Sequence, residues 1–191
     1  VQVGGPAAAY MQLHQKDFSL FRDHARFIKE TRGTLDFFSY HFYENAHMLG
    51  AHERRGQGYT NYLLGRYEAT LDMLRAEMHK ADNVLPILIT ECGSLQNGRR
   101  ASDNWLRILA WNAFLTKTMQ RPDQVKLFVP FIFIHMPWNP LSGDAAFTPK
   151  EDSKKHVALE DFDPTTIANY FELWRNFDGR RLPTTFDRDW L

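Results

Sequence analysis

An α/β fold built on a parallel sheet is the prediction for this chain, and three observations carry it. Short, near-continuous apolar runs recur between longer stretches with helical hydrophobic spacing. Such runs mark strands covered on both faces, as in parallel sheets. The strand and helix patterns alternate four times, and βα units joined by right-handed crossovers make a parallel sheet. Four units are half of an eight-stranded (β/α) barrel, for which about 250 residues is typical. The expectation is strands five to eight of such a barrel within residues 1–182, with 183–191 as an exit segment. A half barrel would expose two sheet edges and its interior face, on which Ile87 and Ile89 are expected. An N-terminal half is therefore expected as a partner.

Composition removes other classes. The chain has 191 residues, 43% hydrophobic and 14% aromatic, enough for a sizeable core and unlike a disordered or fibrous protein. Its formal net charge is zero, so no electrostatic footprint for nucleic acid or an anionic membrane is expected. The single Cys92 forms no internal disulfide. No apolar run approaches the roughly 18 residues of a membrane span. No signal peptide stands at Val1, where the sequence already reads as mid-domain.

Val1–Gly4 reads as a strand end running into a Gly4-Gly5-Pro6 turn. Asp17 can cap a helix with Phe18, Phe21, Ala25 and Ile28 inward, ending near Gly33. Residues 37–43 (FFSYHFY) alternate, with Ser39, His41 and Tyr43 on one face and Phe38, Tyr40 and Phe42 on the other. Residues 44–60 are polar and read as a rim loop. Its His47 and His52 lack a metal-ligand spacing, so no metal or other cofactor is expected. Leu64, Tyr67, Leu71, Leu74 and Met78 mark the clearest helix.

The chain is organised around residues 84–93 (VLPILITECG), a strand entered through Pro86 and stopped by Gly93. It delivers Glu91 at its C-terminal end, where (β/α) barrels place their chemistry; the residues alone leave open a solvated turn carboxylate. Arg99 and Arg100 follow in a second polar loop. A helix is then expected from a Ser102 cap through Trp105, Ile108, Asn112, Leu115 and Met119. The fourth strand is expected at Phe131–His135, with Trp138 just beyond it at the same rim. Asp163 as cap, Pro164 at the first position and Gly179 as stop define a last helix, with Ile167, Phe171 and Trp174 inward.

These residues resemble a known family. The Gly-Gly-Pro-Ala strand end, Asp36 to Tyr43 and Ile89-Thr90-Glu91-Cys92-Gly93 look like strands five to seven of retaining glycoside hydrolases with a TIM barrel. The finer match is to glycoside hydrolase family 86, the β-agarases and β-porphyranases. It extends through Arg121-Pro122-Asp123, Pro130-Phe131-Ile132, Trp138, residues 170–174 (YFELW) and Gly179-Arg180-Arg181. The resemblance implies an enzyme, a retaining endo-acting hydrolase of β-linked galactan such as agarose or porphyran, secreted or at the cell surface, with Glu91 as nucleophile. A nucleophilic carboxylate needs hydrogen-bond donors beside it, and Tyr43 and His41 are the expected ones. Trp138 would give the sugar a flat apolar platform. As alternatives, His41 satisfies a backbone carbonyl and Trp138 is core.

One departure matters. The family's general acid is a Glu that follows an Asn at the end of strand four, and no Asn-Glu pair occurs here. The acid is therefore expected upstream of Val1. A non-catalytic carbohydrate-binding barrel, or a relative acting on xylosides or uronides, stays open as an alternative.

Overall fold

The computed structural model describes residues 1–9, 11, 13–44, 62–94, 101–136, 145–150 and 159–178. Four strands hydrogen-bond in chain order, every pair parallel: β1 (Gly4–Ala8), β2 (Phe37–Glu44), β3 (Ile87–Ser94) and β4 (Val125–Pro130). Helices α1 (Gln15–Glu30), α2 (Arg66–Lys80) and α3 (Ala101–Met119) lie in the three crossovers. A short antiparallel pair, β5 (Phe147–Pro149) and β6 (Phe162–Pro164), precedes α4 (Ala168–Trp174). The α/β class with a parallel sheet is the fold observed.

One face of the sheet is sealed by the helices. Phe38, Tyr40 and Phe42 of β2 join Ile87, Ile89 and Cys92 of β3 in a single buried cluster. Ile28 of α1, the Tyr67, Leu71, Leu74 and Met78 stripe of α2, and Phe114 of α3 complete it. Tyr67 stands edge-on to Phe42 and Phe114, with ring centroids 4.9 and 5.1 Å away. Its hydroxyl is paired with Thr118 Oγ1 at 2.7 Å, so burial leaves no orphaned group. Buried amides tie the layers at the far end: Asn83 Nδ2 donates to the Ile28 carbonyl and Gln124 Nε2 to that of Leu71. Phe114→Ala should cost about 3–5 kcal/mol, because the ring is fully buried and its neighbours are held on three elements. Denaturant titration of the intact protein checks this; a loss under about 1 kcal/mol would contradict the packing.

The Arg121-Pro122-Asp123 motif proves to be a clamp between the α3–β4 turn and α2. Arg121 donates through both terminal nitrogens to the two oxygens of Asp72, and Arg75 pairs with Asp123. The hydrogen bond from Arg75 holds the exposed Asp123 carboxyl below its usual range.

Several elements sit differently from the sequence expectation. β1 begins at Gly4, where the turn was expected, because the close approach its glycine permits is made within the sheet. A Cβ there would lie 2.1 Å from the Phe37 ring directly across the register. The fourth strand is Val125–Pro130 rather than Phe131–His135. Pro130 closes it, since proline has no N–H to continue a ladder. The apolar run beyond carries one isolated bridge, Ile134 to Phe147, and turns to α4, with Phe133 edge-on to Phe171 at 4.9 Å. Ile87 and Ile89 lie under the helices and not on the open face. The open face instead carries Leu127 and Val129, 44% and 37% exposed.

The helices also shift. Lys16, Asp17 and Phe18 have φ of 51, 52 and 59°, so Asp17 caps nothing and Phe18 is exposed. Trp105 is exposed on α3 while Trp111 is buried, its ring edge-on to Tyr170 of α4 at 5.1 Å. α3 therefore packs two sides, Phe114 on the sheet cluster and Ile108 with Trp111 on α4. A single stripe through Trp105 misses that geometry. Asp163 and Pro164 belong to β6, and α4 starts at Ala168 after Thr165 Oγ1 accepts the Ile167 N–H.

Candidate active site

Strict alternation along β3 would put Glu91 on the same face as Ile87 and Ile89, beneath the helices. The sheet avoids this by one residue. Tyr40 pairs with Ile89 and His41 with Glu91, so Thr90 has no partner on β2. Such a bulge re-aims the side chains that follow it. Glu91 thereby moves to the open face beside His41 and Tyr43, while Cys92 takes the place in the helix-covered cluster.

The three polar residues meet at one atom. The Tyr43 hydroxyl donates to Glu91 Oε2, and His41 Nδ1 lies 3.3 Å from the same oxygen. Among the described residues no hydrogen bond or ion pair reaches Oε1. The side chain of Glu91 is 32% exposed and that of His41 14%, so the carboxylate opens to solvent while its partners are more covered. All three stand at the C-terminal ends of parallel strands. The arrangement suits a carboxylate held by one oxygen and free to react through the other.

Neighbouring groups are set apart from this chemistry. The Cys92 thiol is fully enclosed, and burial pushes it well above its ordinary range, so it stays protonated and is no competing nucleophile. Glu44 alternates with Phe42 onto the helix side, is 2% exposed, and accepts the Leu63 N–H at 2.8 Å. Among the described residues no group of three His, Cys, Asp or Glu side chains is placed to hold a metal. Trp138, His47, His52, Arg99 and Arg100 lie outside the described residues. Sequence reasoning missed the Thr90 bulge and the surroundings of Gly93, which does not stop β3; the strand runs on to Ser94.

No family model matches the chain. Curated relatives do. The chain is 26% identical to beta-porphyranase A of Phocaeicola plebeius across 97% of its own length and 26% of that protein's. It is 24% identical to a funoran endo-beta-hydrolase of Wenyingzhuangia aestuarii over 96% of itself and 26% of that protein. It is 22% identical to a beta-agarase of Pseudoalteromonas atlantica, over 96% of itself and 36% of the relative. Among solved structures, a beta-porphyranase of glycoside hydrolase family 86 from Bacteroides plebeius superposes with a TM-score of 0.70 at 25% identity. That match takes in 97% of this chain and 33% of the other. An arabinofuranosidase of glycoside hydrolase family 51 from Xanthomonas axonopodis shares the fold at 12% identity and a TM-score of 0.56. The resemblance to family 86 read from the sequence is thus found in named relatives, and this chain spans about a quarter to a third of their length.

Proposed function

We propose that this chain is the nucleophile-bearing arc of a retaining, endo-acting glycoside hydrolase of β-linked galactan, of the agarose or porphyran kind. The observation that carries the reading is Glu91, held through Oε2 by Tyr43 with His41 beside it, at the C-terminal edge of a parallel sheet. The names of the relatives supply the substrate class. Residues 1–182 are taken as strands five to eight of a (β/α) barrel and 183–191 as its exit. The uncovered Leu127 and Val129 and the single helix layer support a further segment that closes it. A polymer substrate places the intact protein outside the cell. Among the described residues no helix is long and apolar enough to cross a membrane.

In this reading Glu91 Oε1 attacks the anomeric carbon, forming the carbon–Oε1 bond as the glycosidic carbon–oxygen bond breaks. The leaving oxygen takes its proton from a second carboxylic acid about 5 to 5.5 Å away. Water then attacks the same carbon, gives its proton to that second carboxylate, and releases Glu91. The hydroxyl of Tyr43 donates to Oε2, which leaves Oε1 as the attacking oxygen. Among the described residues, β1 to β4 carry one carboxylate besides Glu91, and that one, Glu44, lies on the helix side. The acid is assigned to the closing segment, as the resemblance implies, and Trp138 to stacking under the sugar. The second reading is a barrel that binds galactan without cleaving it.

A 2-deoxy-2-fluoro-galactosyl fluoride tests the proposal, since the fluorine slows the second step and leaves the sugar on the nucleophile. Peptide mass spectrometry of the intact protein should find the label on Glu91. Label on another carboxylate, or release of a product with inverted anomeric configuration, would reject retention through Glu91. Oligosaccharide binding with no turnover would establish the second reading. Tyr43→Phe removes one hydrogen bond to a charged group, worth about 1.5–3 kcal/mol. It should lower kcat about 10- to 100-fold with the protein still folded. A rate within twofold of the parent would show that Oε2 is held by something else.

A further inference from the structure

We infer that Ser39 is a positioning residue: its hydroxyl clamps a bulge in β1 and so sets how that strand ends beside His41. The inference rests on the proposed catalytic face, to which His41 and Glu91 belong. Both neighbours of β2 carry one extra residue at the level of Tyr40. On the β3 side Tyr40 and His41 pair with Ile89 and Glu91, which leaves Thr90 over. On the β1 side Ser39 and Tyr40 pair with Pro6 and Ala8, which leaves Ala7 over. Ala7 has left-handed backbone, φ 53°, a conformation that residues other than glycine rarely adopt. Bulging also takes its N–H out of the ladder. Ser39 supplies the missing acceptor, its Oγ taking the Ala7 N–H at 2.9 Å. The serine is 4% exposed, so little water competes for that bond.

The bulge decides where β1 lies against β2 at its C-terminal end. Ala8 falls level with Tyr40 and packs against the helix-covered cluster, while Ala7 and Ala9 are exposed. Without the extra residue Ala7 would come level with Tyr40 and Ala8 with His41, one position out of step, and the later side chains would change faces. Such a slip moves the strand end by about 3.3 Å along β2. The segment crossing this level is Ala7-Ala8-Ala9, so backbone and methyl groups wall the side of the face next to His41. Small side chains there leave room for a sugar ring. A wall touches bound sugar before and during the reaction alike, so displacing it should appear in KM and not in kcat.

The test uses the intact protein with agar-type oligosaccharide. Ser39→Ala should raise KM about five- to tenfold and leave kcat within about twofold, as loss of one hydrogen bond behind a binding wall does. Ser39→Thr keeps a hydroxyl and should stay near the parent in both. The deciding variant is Ser39→Ala combined with Ala7→Gly. Glycine takes the positive φ without help, so KM should return to within about threefold of the parent. Unchanged KM in Ser39→Ala, a loss confined to kcat, or a raised KM that Ala7→Gly does not lower would overturn the inference. A crystal structure of Ser39→Ala reads the clamp without turnover. Ala7 out of its left-handed conformation, or β1 slipped against β2, supports the clamp, and an unaltered bulge rejects it. Full activity in Glu91→Gln would instead reject the functional reading, leaving that structure to decide the clamp by itself. If Ser39→Ala does not fold, folding of the double variant supports the clamp, and its failure to fold as well counts against it.

Discussion

Glu91→Gln in the intact protein should lower turnover of agar-type oligosaccharide by about 10³-fold or more, as loss of a covalent nucleophile does. The replacement keeps the shape of the side chain and an oxygen to accept the Tyr43 hydroxyl proton, so the site should remain folded and occupied. Binding, measured by calorimetry, should change less than threefold, roughly a few tenths of a kcal/mol, because the surrounding cleft is untouched. The separation of the two effects is the point: an interaction made only on the way to the transition state leaves substrate affinity alone. A small anion adds a second arm. In Glu91→Ala the space left by the carboxylate admits azide, which should restore turnover and yield a glycosyl azide of the opposite anomeric configuration to the natural product. Turnover by Glu91→Gln at the parental rate would reject the assignment.

Glu91 could be found in the sequence because a carboxylate after a short apolar run is a feature of composition and order. His41 and Tyr43 could be placed beside it because both stand on the polar face of an alternating strand. What brings the three together was not legible. Counting by twos from Ile87 and Ile89 sends Glu91 to the wrong face, and only the unpaired Thr90 corrects it. A bulge is a property of two strands in register, and one strand's residues do not announce it. Gly93 misleads for the same reason, since glycine stops strands in isolation but here lets the Phe131 carbonyl and Trp111 approach β3 closely. Val125–Pro130 does not stand out in the sequence, since Lys126 interrupts it and the run after it is more apolar. Position beside β3 decides the matter, and in the run beyond it Phe133 meets Phe171 of α4. α2 is legible because its Tyr67, Leu71, Leu74 and Met78 stripe faces one layer only, although Leu64 falls in a 3-10 turn ahead of the helix. The two-sided α3 is not, because Trp111 and Phe114 serve different neighbours.

Residues 1–191 produced alone should fail to give a monodisperse, cooperatively folded monomer. The reason differs from a simple exposure of the sheet's apolar core. Phe38, Tyr40, Phe42, Ile87 and Ile89 are all at 0% exposure beneath the helices, so the segment keeps a real core of its own. Its weakness lies on the other face and at the two sides. Leu127 and Val129 stand part-exposed there, and each such side chain forgoes a share of the about 1.5–3 kcal/mol that full burial would contribute. β1 and β4 end the described sheet, and their outer backbone N–H and C=O groups offer a template for another chain. Neither side is protected by charge, apart from Lys126 on β4. Against a net domain stability of about 5–15 kcal/mol, these losses tip the balance toward association rather than full unfolding. The expected result is native-like helix content by circular dichroism, oligomers on size exclusion and a broad thermal transition. Adding a separately produced segment that closes the barrel should shift the chain to a single stoichiometric complex with a sharp melt. A sharp, concentration-independent melt of the isolated monomer would contradict the proposed half barrel. The four βα units would then close in some way that leaves neither edge nor face in need of a partner.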